Sequence, residues 1–246
     1  QGVSGLLCLV YIWKAVPELR MKREDWHFNK DIAAKQISVG IPMGLQYSIT
    51  AIGTMMVQSS LNILGSYAVA AFTAGNKIEC IFTQAFVAIG TTISTYNAQN
   101  IGAGKLDRVR QGFRATDVIG CAYAVIAGFI LFFAGKFFSY LFISDNADVV
   151  IPMVDTYLRC VGMFLVPLYV VNCYRNGFQG MGYGLLPMLS GVAELVGRGV
   201  MAVIAANKKS YTMACMASPF AWVVATVLLI VLYFYVMKDM KKKLCL

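Results

Sequence analysis

The sequence is poor in charge. Asp, Glu, Lys and Arg make up 13% of its 246 residues, about half of the ~25% that soluble domains carry to clothe their surface. An ordinary soluble globule is thereby excluded. Histidine is almost missing, His27 being the one in the chain. Zinc sites and histidine-based catalysis need two or more such rings, or one facing a nucleophile, so both have almost nothing to work with. The seven cysteines form no CxxC pair and show no metal-ligand spacing; in apolar runs they serve as small hydrophobes. No enzyme, no resident metal and no organic cofactor is expected.

What is abundant is hydrocarbon. Hydrophobic residues reach 59% and the mean hydropathy is +0.66. A net charge of +9 would suggest nucleic acid in a soluble protein, but the charges are confined to short stretches. None occurs over 36–76, 80–104, 118–135, 176–193 or 210–237. Crossing a bilayer takes about 20 mostly apolar helical residues, and several of these runs suffice. The fold expected is all-α, a polytopic membrane helix bundle, and a nucleic-acid partner is not.

Apolar runs and their breakers predict six complete spans, over 37–64, 78–98, 117–142, 149–173, 185–206 and 213–237, after a shorter run at 3–13. The chain opens on Gln1, without a charged segment or cleavage site around its first apolar residues, so it reads as a fragment that begins near the end of a helix. Fifteen basic residues fall on one side: Lys14, Arg20, Lys22, Arg23, Lys30, Lys35, Lys105, Arg108, Arg110, Arg114, Arg175, Lys238, Lys241, Lys242 and Lys243. Against them stand Lys77, Lys136, Lys208 and Lys209. The positive-inside rule makes the first side cytoplasmic, C-terminus included, in a plasma (inner) membrane.

Polar residues inside spans are costly in lipid and so informative. Gln46, Thr50, Thr54, Gln58 and Asn62 recur every four residues, one stripe along a helix. Two roles fit: hydrogen bonding between helices, or the wall of a hydrated pathway. Gln84, Thr91 and Thr95 repeat the pattern and are expected to pack. Glu194 and Arg198, four apart, are expected to form an intramembrane ion pair; Asp155 and Arg159 share that spacing. Glu79, after Lys77, is expected at the interface. Pro167 interrupts its span shortly before Tyr169 and Asn172, which suits either a simple kink or a broken helix beside a transport site.

The segment Gln99-Asn100-Ile101-Gly102-Ala103-Gly104-Lys105-Leu106-Asp107-Arg108 resembles the QNxGAGxxxR signature of the multidrug and toxic compound extrusion (MATE) family. Residues 175–187 (RNGFQGMGYGLLP), Glu194-Leu195-Val196-Gly197-Arg198 and Ser218-Pro219-Phe220-Ala221-Trp222 are similar to that family's second half, in order. The likeness runs over about residues 30–240. It implies a twelve-helix antiporter of two six-helix lobes, exporting organic cations or amphipathic drugs in exchange for sodium ions or protons. On that basis 1–13 ends helix six, 14–36 links the lobes on the cytoplasmic side, 37–237 is the C-terminal lobe and 238–246 a basic tail. The N-terminal lobe and the bilayer are its partners.

The resemblance and the polar pattern together name Gln46, Thr50, Gln58, Asn62, Tyr169 and Asn172 as the substrate-cavity wall. Residues Gln99, Asn100, Gly102, Gly104 and Arg108 form the cytoplasmic loop motif. One departure stands out. Many family members carry cation-binding acids in helices seven and ten, yet 37–64 has none, and Leu168, Tyr169 and Asn172 occupy the corresponding part of helix ten. This points to a branch whose coupling acid lies in the first helix, outside this sequence. Two other functions fit the composition: a lipid-linked saccharide flippase of related architecture, and a membrane assembly subunit without transport.

Overall fold

A computed structural model describes residues 2–16, 27–143 and 146–243 of the chain. Arg20, Lys22 and Arg23 of the linker, Ser144 and Asp145 of the acidic loop and the last three tail residues, 244–246, lie outside the described residues. The described residues are helical and contain no strand. Two compact units divide the chain, 1–38 and 39–246. The first holds α1 (Gly2–Ala15) and the opening turns of α2 (Lys30–Leu64), where the Asn29 carboxamide caps the N–H groups of Asp31 and Ile32 at 3.0 and 3.2 Å.

The second unit contains the remainder of α2, then α3 (Ser66–Gly102), α4 (Leu106–Ser139), α5 (Ala147–Gly162), α6 (Leu165–Gly180), α7 (Leu185–Lys208), α8 (Tyr211–Cys215) and α9 (Ala217–Lys243). By length and composition α3, α4, α7 and the run Tyr211–Lys243 can each cross a membrane, and the pair α5–α6 makes a fifth crossing. Six were expected. The sixth, α2, has the length at 35 residues, but a polar side chain on almost every turn leaves it less apolar than the others.

Two boundaries differ from the hydropathy reading. Helix α3 begins at Ser66, not 78, because Gly65 at φ 103° turns the chain once and the helix then runs unbroken past Lys77 and Glu79. Helix α4 begins at Leu106, so Asp117 sits well inside it. Its basic opening is amphipathic: Leu106, Val109 and Phe113 are buried while Arg108 and Arg114 are exposed.

The 149–173 span is broken, with α5 and α6 meeting at 54° across Met163 and Phe164. Pro167 explains the position of the break. Its ring lacks an N–H and clashes with the carbonyl four residues earlier, that of Met163, so α6 restarts just ahead of it.

The glycines of the loop motif close α3. The Lys105 N–H donates to the Asn100 carbonyl at 2.8 Å and the Gly104 N–H to that of Ile101 at 3.0 Å, a Schellman ending whose left-handed residue is Gly104, φ 70°. The α6–α7 turn repeats it with Gly182 at φ 85°, Tyr183 donating to Phe178 and Gly182 to Gln179, each at 3.0 Å. These two turns define one end of the bundle, called here the loop end.

Aromatic side chains fill the interior between α3, α4, α5, α6 and α9. Phe86, Phe113, Tyr157, Tyr169 and Phe178 are all fully buried, Phe86 meeting Tyr169 edge to face at 5.7 Å and Phe113 meeting Tyr233 at 5.2 Å. Small residues set the closest helix crossings. A Cβ on Gly128 would stand 2.5 Å from the carbonyl oxygen of Gly162, and one on Gly197 would stand 2.9 Å from the Cα of Ala221.

Candidate functional site

Four polar constellations stand out among the described residues of the second unit. The largest joins α2, α6 and α7. Glu194 is 2% exposed and receives two guanidinium groups, Arg198 at 2.9 Å on one carboxylate oxygen and Arg175 on the other. Arg175 also donates through Nε to the Ser190 hydroxyl at 3.1 Å, and Ser190 in turn to the Pro187 carbonyl at 2.6 Å. Arg198 reaches the Thr50 carbonyl at 3.5 Å. Sequence spacing paired Glu194 with Arg198 alone and placed Arg175 in a loop. The structure carries Arg175 on α6, facing α7, because α6 continues to Gly180.

The second constellation is centred on Glu79. This acid was expected at the interface, but α3 carries it into the body of the unit, 8% exposed. The Tyr157 hydroxyl of α5 donates to its carboxylate, and the Asn76 amide donates to that hydroxyl at 3.5 Å. Tyr157 lies flat on Gly75, where a Cβ would stand 2.4 Å from the ring. Beside Asn76 opens a cavity of 350 Å³ lined by Thr54, Val57, Gln58, Phe72, Thr73, Asn76 and Ser218.

The third is Asp117 of α4, which accepts the Tyr174 hydroxyl at 2.9 Å and the Tyr169 hydroxyl at 3.5 Å. Asp117 was read only as the start of a span. At the loop end, Tyr183 donates to Asp239, and the Lys243 ammonium stands 2.7 Å from the same carboxylate and 4.8 Å from the centre of the Tyr183 ring. Burial first, then the bond to Asp239, pushes the Tyr183 hydroxyl up to about 12.

The six residues named for a cavity wall separate into three pairs. Gln46 and Tyr169 do not face open space. Gln46 is wedged against Gly191 of α7 and accepts the Gln179 amide at 3.3 Å. Tyr169 is fully buried, its ring on Gly120 of α4. Thr50 and Asn172 are half-buried and bond back to their own helices, to Gln46 at 3.0 Å and Leu168 at 3.0 Å. Gln58 and Asn62 stand toward the open side, the Gln58 amide donating a hydrogen bond to the Asn62 side-chain oxygen at 3.3 Å, and Gln58 lines the 350 Å³ cavity. In the loop motif, Asn100 is buried and donates to the Tyr96 carbonyl at 2.8 Å, whereas Gln99 and Arg108 are exposed. The motif's visible work is the Schellman reversal.

The family model MatE matches residues 42–204. The chain belongs to the MatE family. Among curated relatives, the probable multidrug resistance protein YpnP of Bacillus subtilis (strain 168) is 28% identical over 191 residues, 77% of this chain and 41% of the relative. A MOP superfamily transporter from Pyrococcus furiosus, described by a reverse polarity of its binding pocket that suggests a different function, superposes with a TM-score of 0.88 at 19% identity, over 97% of this chain and 54% of that one. An outward-facing multidrug resistance MATE family transporter superposes at 0.86 with 18% identity, over 95% of this chain and 53% of that one. The chain thus spans about half the length of the proteins it matches. With its apolar helices, this MatE chain is an integral membrane protein of transporter fold.

In the MatE body a further polar face comes into view. Gln84, Thr91 and Thr95, expected to pack, are exposed on α3 together with Thr73, Asn76 and Gln99. Thr91, Thr92, Thr95, Tyr96 and Gln99 line a second cavity, of 430 Å³. Helical spacing made this stripe visible, but a sequence does not tell which face of α3 other helices cover.

Proposed function

We propose that this MatE chain forms one lobe of a secondary antiporter that exports organic cations or amphipathic drugs in exchange for protons or sodium ions by alternating access. The observation that carries the proposal is the uncovered polar face of α2 and α3. Amides and hydroxyls are costly against lipid, yet Gln58, Asn62, Asn76, Gln84, Thr91 and Thr95 stand on the open side of this unit, next to cavities of 350 and 430 Å³. A second lobe facing that surface would enclose a hydrated cavity. The Bacillus relative, named as a probable multidrug resistance protein, is in keeping. The loop end, with its basic residues and tail, belongs on the cytoplasmic side of a plasma membrane by the positive-inside rule.

The test is efflux of a cationic dye from cells producing the full-length protein, with Gln58→Ala and Asn62→Ala beside wild type. Both variants should slow efflux while protein levels hold. Unchanged efflux of several substrates in both would remove α2 from the cavity wall.

A second reading rests on the arginines. Two guanidiniums on one carboxylate leave a surplus positive charge in the α6–α7 network, which suits an anionic substrate, and the Pyrococcus transporter is described by reversed pocket polarity. Efflux of an anionic dye in place of the cationic one would favour it.

A further inference from the structure

Among the described residues no guanidinium or ammonium is bonded to Glu79. What faces it from α5 is the neutral Tyr157 hydroxyl. Arg198 of α7 acts on it only through its field. Cys215 of α8 lies near the Tyr157 ring, and on α3 itself Cys80 is adjacent and Lys77 points outward. A buried carboxylate bonded only to neutral donors costs far more to keep charged than one in an ion pair. Such a group is kept for a reason.

It also has a way out. Asn76 belongs both to the 350 Å³ cavity and to the hydrogen-bond chain, its amide 3.5 Å from the Tyr157 oxygen. Phe72, which packs edge to face on Tyr157 at 4.8 Å, lines the same cavity. Thr54, Gln58, Thr73 and Ser218 supply enough polar groups there to hold water. The order is therefore cavity, Asn76, Tyr157, Glu79.

We propose that Glu79 is a proton-exchanging carboxylate of this lobe, loaded and unloaded from the polar cavity between α2, α3 and α9 by way of Tyr157, whose oxygen Asn76 holds toward the cavity's edge. A hydronium ion at the cavity's edge gives a proton to the Tyr157 oxygen and becomes water, while the Tyr157 hydroxyl passes its own proton to the Glu79 carboxylate. One O–H bond on Tyr157 breaks as another forms, and the new carboxylic acid donates back to the Tyr157 oxygen. Because Tyr157 rests directly on Gly75, this switch acts at the contact between α3 and α5. The inference rests on the antiport reading for what the proton drives, but not for its existence.

Two readouts separate these. Infrared difference spectra between low and high pH are recorded on the full-length protein in liposomes, for wild type, Glu79→Gln and Tyr157→Phe. Wild type should show a carboxylic-acid C=O stretch that fades as pH rises. It should be missing in Glu79→Gln and displaced in Tyr157→Phe, which keeps the acid but removes its partner. Efflux of a cationic dye against an imposed pH gradient should fall at least tenfold in Glu79→Gln, with dye affinity within twofold of wild type. The same titrating band in Glu79→Gln as in wild type overturns the proposal. A band lost in Glu79→Gln from a wild type that moves no dye upholds the proton site and removes the exporter reading instead.

Discussion

Glu194 and Glu79 are the same side chain, buried in the same unit on α7 and α3, and they differ in what meets them. Glu194 is gripped by Arg175 and Arg198 and lies in a net that reaches Ser190 through Arg175 and the backbone of α2 through Arg198. Glu79 meets a tyrosine hydroxyl and, behind it, an amide at the edge of a cavity. The first arrangement is a structural joint between α2, α6 and α7, since removing the carboxylate strands two guanidiniums in a low-dielectric interior. The second can gain a proton without stranding a partner's charge, because its partners are neutral. Partner chemistry, more than burial, separates a strut from a switch.

The sharpest way to break that contrast is at the joint. Glu194→Ala should destabilise the full-length protein by about 3–5 kcal/mol, the usual cost of leaving a buried charge without its partner, read as a lowered midpoint of thermal unfolding in detergent. Glu194→Gln should cost nearly as much, because the shape stays and the guanidiniums remain uncompensated. Adding Arg198→Met to Glu194→Gln should recover part of the loss, a coupling that a double-mutant cycle measures directly. A Glu194→Gln protein as stable as wild type would mean that the arginines do not hold α6 to α7.

At Glu79 the expected effect is smaller. Tyr157→Phe keeps the ring on Gly75 and deletes one hydrogen bond, so it should cost about 1–2 kcal/mol, measured by the same unfolding midpoint. The value matters relative to Glu194→Ala. Equal losses would make both acids joints and erase the distinction drawn above.

Much of the fold could be read from the chain alone, and the reasons for the rest are physical. Hydropathy located the apolar runs, and the QNxGAG segment marked the α3–α4 reversal because only a left-handed residue at Gly104 completes it. Hydropathy also misled where charge is buried. Lys77 and Glu79 looked like a helix end, yet one points outward and the other is sheltered by Tyr157, a residue 78 positions away. Arg175 looked like loop charge for the same reason: its partner is on the next helix. The i, i+4 rule finds a partner on the same helix, as with Glu194 and Arg198, and is blind to one across a contact. Helical spacing placed Gln46 on a polar stripe, and the break at Pro167 drew attention to Tyr169, but whether either is covered depends on neighbours such as Gly191 and Gly120.

The smallest effects should come from the open face of α3, and they distinguish two origins of its polarity. The Thr91 hydroxyl is turned back onto its own helix, 2.7 Å from the Val87 carbonyl and 3.0 Å from that of Ala88, so the cavity sees chiefly its methyl group. Gln84 is exposed and carries an amide that can reach outward. Thr91→Val and Gln84→Leu should each change stability by no more than about 0.5 kcal/mol, as exposed substitutions do. Their transport should differ. Thr91→Val should leave cationic-dye efflux within twofold of wild type, because the lost hydroxyl was serving the helix. Gln84→Leu should slow it severalfold, because the lost amide faced the open side. If the threonine variant is the slower one, the hydroxyls must swing free of the helix during transport, and the water-facing character of α3 would belong to its threonines.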